Sequence, residues 1–211
     1  MPMSINTDGI RSIICEIAKV MEDRKQYLSD LDQAIGDGDH GFNMARGFGV
    51  LERKFEETPG TDIGDLLKIV AMALISNVGG AAGPLYGSMF LKAASAAREL
   101  TEVDLPGFTP IFREGVLGVQ ARGNAVLGDK TMIDVLLPVL ESLEKDSAAG
   151  LSGREAFANA EKVAADCMEK TKNIVARKGR ASYLGERSIG HIDPGAASSY
   201  LIVQTICKAL A

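Results

Sequence analysis

The sequence contains no tryptophan, only 5% aromatic residues and only three cysteines. Cys15, Cys167 and Cys207 lie far apart and none belongs to a Cys-x-x-Cys pair, so the sequence indicates neither a zinc site nor a disulfide framework. We interpret all three as buried free thiols. The longest apolar run covers residues 69–75, whereas a membrane-spanning helix needs about 20 apolar residues. The N-terminus also lacks the basic start and apolar stretch of a secretory signal, so we expect a soluble cytoplasmic protein with no membrane partner.

The rest of the composition, 46% hydrophobic and 24% charged residues, is that of a globular protein and excludes a disordered or collagen-like chain. A chain of this length buries roughly 70% of its unfolded surface, and we expect one domain over residues 1–211. The 28 acidic residues outnumber the 23 basic ones, which gives a net charge of −5. This balance argues against a nucleic-acid partner, which would require a basic face.

Helix-period patterns dominate the chain, and no stretch shows the sustained alternation of a β-strand. Apolar residues at helical spacing define a first helix from Ile10 to Met21, with Asp8 as its expected N-cap. Ser152 and Glu155 form the pattern of a capping box at the start of another helix. The sequence therefore predicts an all-α fold of about eight amphipathic helices. They cover residues 10–21, 40–57, 61–70, 84–100, 107–122, 131–144 with a kink at Pro138, 152–177 and 194–210.

Four connections between these helices are rich in glycine and polar residues. They cover residues 35–41, 77–84, 122–131 and 178–195, and each follows an odd-numbered predicted helix. Alternate connections of an up-and-down bundle lie at the same end. The other connections carry no such pattern, which indicates that one end of the bundle is functional.

Three carboxylates, those of Asp32, Asp37 and Asp39, lie within a stretch of eight residues that runs into the first of these loops. Like charges at this spacing repel one another unless a cation or a proton neutralises them. Oxygen ligands suit Mg²⁺ or Ca²⁺, but a calcium loop that starts at Asp37 would need Glu at its twelfth position, where Phe48 stands. The alternative is a solvated acidic turn in which an aspartate caps the next helix.

Two further loops contain glycine in patterns that suit phosphate or a helix start. The segment 79–84 opens a helix, where free backbone N–H groups attract anions and small side chains allow a close approach; a flexible connection is the alternative. The segment 123–131 nearly matches a P-loop, but Asp129 adds one residue before Lys130 and no strand precedes it, so we exclude that motif. Helix capping by Asp129 or Thr131 is the simpler explanation there.

The last loop carries three cations in four residues, Arg177, Lys178 and Arg180. Arginine suits bidentate phosphate contact, whereas solvation and interaction with a helix dipole form the alternative. Both histidines of the chain, His40 and His191, also lie in the glycine-rich loops. No Ser-His-Asp or Cys-His pattern is recognisable, so we do not expect covalent catalysis.

Together these loops resemble the nucleotide-binding L subunits of bacterial dihydroxyacetone kinases of the phosphoenolpyruvate-dependent type. The resemblance rests on residues 31–43, 79–86, 128–134 and 176–195, and it therefore covers essentially the whole chain. It implies a barrel of eight antiparallel amphipathic helices that binds ADP or ATP at one end through two Mg²⁺ ions.

The resemblance also assigns roles to residues by motif position. Asp32, Asp37 and Asp39 would be the magnesium ligands. Arg180 would contact phosphate and act as the catalytic residue. Many members carry a hydroxyl residue at the position of Ala82, so phosphate contact there would rest on the backbone alone. The other nucleotide-binding residues would be His40, Gly41, Phe42, Asn43, Ala81, Ala82, Gly123, Met132, Asp193, Pro194 and Gly195.

The implied function is that of an ADP/ATP-binding kinase subunit. It would transfer phosphate from Mg-ATP to dihydroxyacetone held on a separate K subunit, and a phosphotransferase-type M subunit would rephosphorylate ADP in place. With 211 residues the chain leaves no room for a K domain, which favours the three-subunit system. The alternatives are an ATP-dependent kinase subunit for another small keto-sugar or sugar, and a nucleotide-dependent adaptor that binds a transcription regulator.

Overall fold

The computed structural model describes residues 4–210, which contain ten α-helices, two short strands and two 3-10 helices. The strands, β1 (Ile5–Asn6) and β2 (Glu102–Val103), pair antiparallel. The 3-10 helices are Thr171–Asn173 and Arg180–Ser188, and the second is broken by a kink at Gly185, where φ is +55°. The α-helices are α1 (Thr7–Asp23), α2 (Lys25–Ile35), α3 (His40–Phe48), α4 (Leu51–Glu57), α5 (Ile63–Asn77), α6 (Ala82–Ala96), α7 (Leu105–Gly123), α8 (Ile133–Ala148), α9 (Gly153–Lys170) and α10 (Pro194–Leu210).

The all-α prediction is confirmed, although two helical spans are interrupted. Arg24, with φ −100° and ψ 3°, separates α1 from α2, a helix that the sequence analysis did not assign. The predicted helix 40–57 is divided at Gly49 and Val50, whose ψ angles of −13° and −7° depart from the helical value of about −42°. When α1 with α2 and α3 with α4 are each counted as one broken span, the described residues contain eight spans, the number predicted, although the first extends well beyond the predicted range 10–21.

The seventh predicted helix was expected to reach residue 177, but α9 ends at Lys170. The reason is Thr171, which is buried. Its hydroxyl donates to the carbonyl of Met168 at 2.7 Å and accepts the backbone N–H of Asp193 at 3.1 Å. The chain therefore turns at Thr171 to meet the start of α10, and residues 174–193 form a long connection.

The helices are arranged as a closed barrel. From α5 to α10 each helix packs on the next, α3 packs on α1, α2 and α5, and α10 closes the ring against α1 and α2. The interior is filled by fully buried apolar side chains, which include Met21, Leu28, Met44, Phe48 and Leu74. Burial of these side chains supplies the main driving force for the fold.

The structure tests the predicted N-caps and the predicted helix that contains Pro138. Asn6, and not Asp8, caps α1, because its side chain accepts the N–H of Gly9 at 2.9 Å while Asp8 lies in the first turn. The capping box of Ser152 and Glu155 is confirmed, with both reciprocal hydrogen bonds present. α8 continues through Pro138 to Ala148 as one helix.

The structure tests two further predictions, those on a membrane-spanning helix and on the cysteines. Within residues 4–210, no helix is both long and apolar enough to cross a membrane. Cys207 is buried, whereas Cys15 and Cys167 are half-buried, so the prediction of buried thiols is right for one cysteine and too strong for the other two.

Candidate functional site

The four glycine-rich loops meet around one cavity of about 420 Å³ at one end of the barrel. Each loop supplies part of the wall, and apolar side chains such as Leu85, Val119 and Ile133 lie between the polar ones. Among the described residues this is the place where the acidic, glycine-rich and basic motifs of the sequence come together. The prediction that the four loops lie at the same end of the bundle is therefore correct.

The acidic group on one wall is compact. One carboxylate oxygen from each of Asp32, Asp37 and Asp39 lies within 4.8 Å of the others. Asp32 is on the last turn of α2 and is buried, whereas Asp37 and Asp39 are exposed. Gly38, with φ +79°, allows the chain to turn between the two exposed carboxylates, a backbone conformation that favours glycine.

Asp32 is oriented by the helix that follows it. Its Oδ2 accepts the backbone N–H groups of Asp39 at 3.0 Å and His40 at 3.2 Å. Burial raises the pKa of Asp32, the N–H of His40 opposes this shift, and the charge of Asp37 adds to it. Asp39 stands at the N-cap of α3, but its side chain makes no capping hydrogen bond. The capping role that the alternative gives to an aspartate is therefore taken by Asp32, and the side chain of Asp39 has no part in it.

The donor set of this cluster fits a hard divalent cation. All three ligands would be carboxylate oxygens, and the two exposed carboxylates face the same cavity as the buried one. Mg²⁺ prefers such ligands and commonly completes its coordination with water and phosphate oxygens. The fit rests on the gathered carboxylates themselves, because a cation removes the repulsion among them.

The opposite wall is the segment 79–84 at the start of α6. Gly80 has φ +63°, and a side chain there would meet no atom within 4 Å, so its backbone borders open space. Ala81 occupies the N-cap position, and no side chain caps the helix there. Such a helix start presents unpaired backbone N–H groups to an anion.

A hydrogen-bonded network fixes the floor between these walls. Nε2 of His40 lies 2.9 Å from Oγ of Ser198. The hydroxyl of Tyr86 lies 2.7 Å from the same Oγ and 2.8 Å from Oγ of Ser199. Burial lowers the pKa of His40 to about 4 and raises that of Tyr86 to about 12, so both are neutral at neutral pH. The network joins α3, α6 and α10 beneath the cavity.

The rim next to the acidic cluster is formed by the connection 174–193. Arg180 pairs with Asp37, with Nη2 2.8 Å from Oδ2, and both side chains remain exposed to solvent. Ala176 and Ala181 of this connection are buried against Ile35, at the end of α2. The basic segment therefore lies directly over the carboxylates and brings a guanidinium to them.

The start of α10 completes the cavity. Oδ2 of Asp193 accepts the N–H of Ala196 at 2.7 Å and so caps the helix. Burial raises the pKa of Asp193 to about 7. Pro194 and Gly195 line the cavity beside it, as do Gly123 and Met132 from the preceding loop.

Most of the candidate residues share this cavity, but two do not line it. Gly41 is buried against α2, where a side chain would collide with the carbonyl of Lys25, so its glycine is required by helix packing. Phe42 is 49% exposed. The candidates that line the cavity are Asp32, Asp37, Asp39, His40, Asn43, Ala81, Ala82, Gly123, Met132, Arg180, Asp193, Pro194 and Gly195.

Sequence reasoning missed three residues around the cavity, Tyr86, Lys130 and Ser198. Tyr86 and Lys130 lie within motifs that were noticed, but their side-chain partners are distant in the sequence. Ser198 lies in the first turns of α10 and follows the Asp-Pro-Gly motif by three residues. A tyrosine and a lysine inside glycine-rich loops were the available signals.

These features define a class of protein. The chain belongs to the DAK2 domain family, whose model matches residues 34–208. The resemblance inferred from the loop motifs is thereby confirmed.

Individual relatives are also close. The chain is 44% identical over 206 residues to the PEP-dependent dihydroxyacetone kinase 1, ADP-binding subunit DhaL, of Listeria innocua, and the match covers 98% of each chain. It is 44% identical over 207 residues to the PEP-dependent dihydroxyacetone kinase, ADP-binding subunit DhaL, of Escherichia coli, which covers 98% of this chain and 99% of that one. The crystal structure of the dihydroxyacetone kinase from C. freundii in complex with AMP-PNP and Mg²⁺ has the same fold, with a TM-score of 0.72 at 23% identity over 99% of this chain and 34% of that chain.

Proposed function

We propose that this protein is the ADP/ATP-binding subunit of a phosphoenolpyruvate-dependent dihydroxyacetone kinase. It would transfer phosphate from Mg-ATP to dihydroxyacetone held on a separate K subunit, and an M subunit would rephosphorylate ADP in place. The observation that carries the proposal is the single cavity in which three carboxylates face an uncapped helix start and an arginine. Relatives that are 44% identical over nearly the whole chain, named as ADP-binding subunits, support it.

The residues of the chain have separate tasks in this proposal. Asp32, Asp37 and Asp39 would hold magnesium, which when bound neutralises charge on the phosphates during transfer. The backbone N–H groups at Ala81 and Ala82 would bind phosphate oxygens. Arg180 is 69% exposed in its side chain and reaches the cluster through Asp37, so its guanidinium can exchange that carboxylate for a phosphate.

The base would lie in the less polar part of the cavity. Gly123 and Met132 flank this region, and Leu85, Val119 and Ile133 contribute apolar surface. A side chain at Gly123 would approach Leu85 to 3.0 Å, so glycine keeps this part of the wall free of a bulkier group. Apolar walls with a few placed polar groups are typical of small-molecule sites.

A partner is needed because the cavity offers no anchor for a small ketone. Nε2 of His40, the histidine that lines the cavity, is already engaged with Ser198. The loops that line the cavity also carry exposed apolar side chains, a composition that suits a protein interface. These side chains are Phe42, Val126, Leu127, Tyr183 and Ile189.

The test begins with the nucleotide content of the purified full-length chain. We expect it to carry ADP, and we expect phosphoenolpyruvate with the phosphotransfer proteins and the M subunit to convert that ADP to ATP. Addition of the K subunit and dihydroxyacetone should then yield dihydroxyacetone phosphate. Free exchange of bound ADP against ATP, without any effect of phosphoenolpyruvate, would instead favour an ATP-dependent kinase of another small keto-sugar.

Two further outcomes bear on the proposal. Turnover of dihydroxyacetone by the isolated chain with Mg-ATP alone would contradict the division of labour between subunits. We propose a cytoplasmic location, since ATP and phosphoenolpyruvate are cytoplasmic compounds. The names of these relatives describe kinase subunits and give no support to a transcription regulator as a partner.

A further inference from the structure

Lys130 is a buried cation whose ammonium bonds backbone carbonyls of the connection to α10. It is only 1% exposed. Its Nζ donates to the backbone carbonyls of Thr171 at 2.6 Å and Ile174 at 3.3 Å. A third hydrogen bond reaches the carbonyl of His191 at 2.6 Å. The ammonium has three donors and no acceptor, so these three carbonyls use all of its hydrogen-bonding capacity.

Burial of the Lys130 ammonium is costly and therefore requires an explanation. Burial lowers the pKa of Lys130, and the nearby charges of Asp193 and Asp134 oppose that shift. The backbone at Lys130 also has φ +62°, which is uncommon for a residue other than glycine. A buried charge is tolerated when it is fully paired and hydrogen-bonded. An apolar side chain could fill the volume, but it could not satisfy three carbonyls that converge on one point.

The three carbonyls belong to the two ends of a single loop. Thr171 and Ile174 lie where the connection to α10 begins, and His191 lies where it ends. Two backbone hydrogen bonds support the same closure, one from Gly190 to the carbonyl of Lys172 at 2.7 Å. The other runs from Arg177 to the carbonyl of Asp129 at 3.0 Å. The ammonium therefore closes the base of the loop.

Arg180 is carried by this loop. Beyond the base, the loop is held by a small cluster of Ala176, Ala181 and Ile35, with Leu184 packed beside it. Such a cluster buries little apolar area, so the position of the loop depends strongly on its closure. Without the ammonium the loop would depend on this cluster, on the two backbone hydrogen bonds and on the bond from Ala176 N–H to Oγ of Ser188, so Arg180 should leave the carboxylates more often.

We propose that Lys130 is the positioning residue for Arg180: its ammonium ties both ends of the 174–191 loop and so holds the guanidinium over the acidic cluster. The inference rests on the proposed function, because Arg180 is there the phosphate-binding arginine. It also explains the lysine in the Gly-Asp-Lys-Thr segment without a phosphate contact. A direct phosphate contact would require Nζ to leave the three carbonyls.

Two measurements on the full-length chain test the inference. The first is the rate of trypsin cleavage after Arg177, Lys178 and Arg180 in the nucleotide-free protein. We expect Lys130→Met to raise this rate about tenfold, because the loop opens more often when three charge-assisted hydrogen bonds are lost. The matched control is Lys172→Met, which removes the same charge from a surface pair with Glu169 and should change the rate less than about twofold. An unchanged rate in Lys130→Met would overturn the inference.

The second measurement is the affinity for Mg²⁺ and AMP-PNP by calorimetry in a double-mutant cycle. We expect Lys130→Met and Arg180→Ala each to weaken binding about tenfold, since each removes the same charge-assisted contact with phosphate. The double variant should bind about as weakly as either single variant. If Lys130 has a merely structural role or binds phosphate directly, the two losses of affinity should multiply, and the double variant should bind about a hundredfold more weakly than the unmodified chain. That result would overturn the inference.

Failure of the inference can be distinguished from failure of the proposed function. If the unmodified nucleotide-free chain does not bind Mg²⁺ and AMP-PNP, both fall. If it binds but the losses of affinity in the two single variants multiply in the double variant, only the proposed role of Lys130 is wrong. Lys130→Arg serves as a second variant, because it keeps the charge but its planar donors cannot converge on the three carbonyls. If neither variant folds, Lys130 supports the whole barrel and the inference is wrong.

Discussion

The helix starts at the two ends of the barrel differ in how side chains cap them. At the end opposite the cavity, side chains cap α1, α5, α7 and α9 through Asn6, Asp62, Asp104 and Ser152. At the cavity end, Asp193 caps α10, and residues other than the N-cap accept the first N–H of α3 (Asp32) and of α8 (Thr131), whereas among the described residues the start of α6 has no side-chain cap. A cap satisfies backbone N–H groups that would otherwise be free. The capped end serves stability, whereas at the other end the start of α6 leaves donors free for a ligand.

Asp62 and Asp37, one carboxylate from each end, differ in the same sense. Asp62 spends both oxygens on backbone N–H groups, those of Asp65 at 2.7 Å and Glu99 at 2.8 Å. Asp37 has as its partner the exposed Arg180. A carboxylate that pairs with a solvent-exposed arginine contributes little to stability. The difference teaches that loss of Asp37 should affect function and loss of Asp62 should affect folding.

The largest expected effect is that of Asp37→Asn. The variant should lose phosphoryl transfer by about a hundredfold or more, because it removes a negative ligand from the metal cluster. Its thermal melt should stay close to that of the unmodified chain, since the side chain makes no core contact. Coupled activity with the partner subunits and a melt would be measured together. Full activity in the variant would show that the metal assignment is wrong.

The next largest effect is expected for Ala81→Asp, at the uncapped start of α6. A carboxylate at this exposed position faces the anion that the start of α6 would bind, and repulsion should weaken Mg-ADP binding on the order of tenfold to a hundredfold. Ala81→Asn is the matched control, because it has nearly the same size without the charge. Equal affinities for the two variants would mean that no phosphate lies near Ala81.

Arg180→Lys should lower phosphoryl transfer about tenfold without changing the melt. Lysine keeps the charge but lacks the planar fork that holds two phosphate oxygens together. If Arg180 merely solvates its loop, lysine should serve equally well. The control is Arg187→Lys, an exposed position of the same loop that does not line the cavity. Equal activity for the Arg180 variant would leave the arginine without a role in transfer.

At the opposite end, Asp62→Ala should act on stability alone. Loss of the cap should lower the free energy of unfolding by about 1 kcal/mol and the midpoint of the melt by roughly 2–4 °C. Mg-ADP affinity should be unchanged, because Asp62 lies outside the cavity lining. Asp8→Ala, an exposed first-turn residue of α1 that does not cap, should cost less stability than Asp62→Ala. A weaker nucleotide affinity in Asp62→Ala would break the separation between the two ends.

The same comparison explains what the sequence could predict. The capping box at Ser152 and the acidic cluster depend on residues a few positions apart, so local spacing was sufficient to find them. The break at Arg24 has no glycine or proline to mark it, and it follows from how α2 packs on α3 and α10. The role of Lys130 depends on carbonyls 41 and 61 residues away, which no local pattern contains.

The smallest expected effect is that of Ala82→Ser, at the first residue of α6 and on the cavity wall. The hydroxyl adds one donor beside the free N–H groups, and a net hydrogen bond of about 0.5–1.5 kcal/mol should tighten Mg-ADP binding roughly twofold to tenfold. Ala96→Ser is the matched control, since it makes the same half-buried substitution at the other end of the same helix. Both variants should lose a similar small amount of helix propensity, so only the gain in affinity should distinguish them. If both leave the affinity unchanged, the start of α6 does not bind the phosphates, and the difference between the two ends of the barrel is one of stability alone.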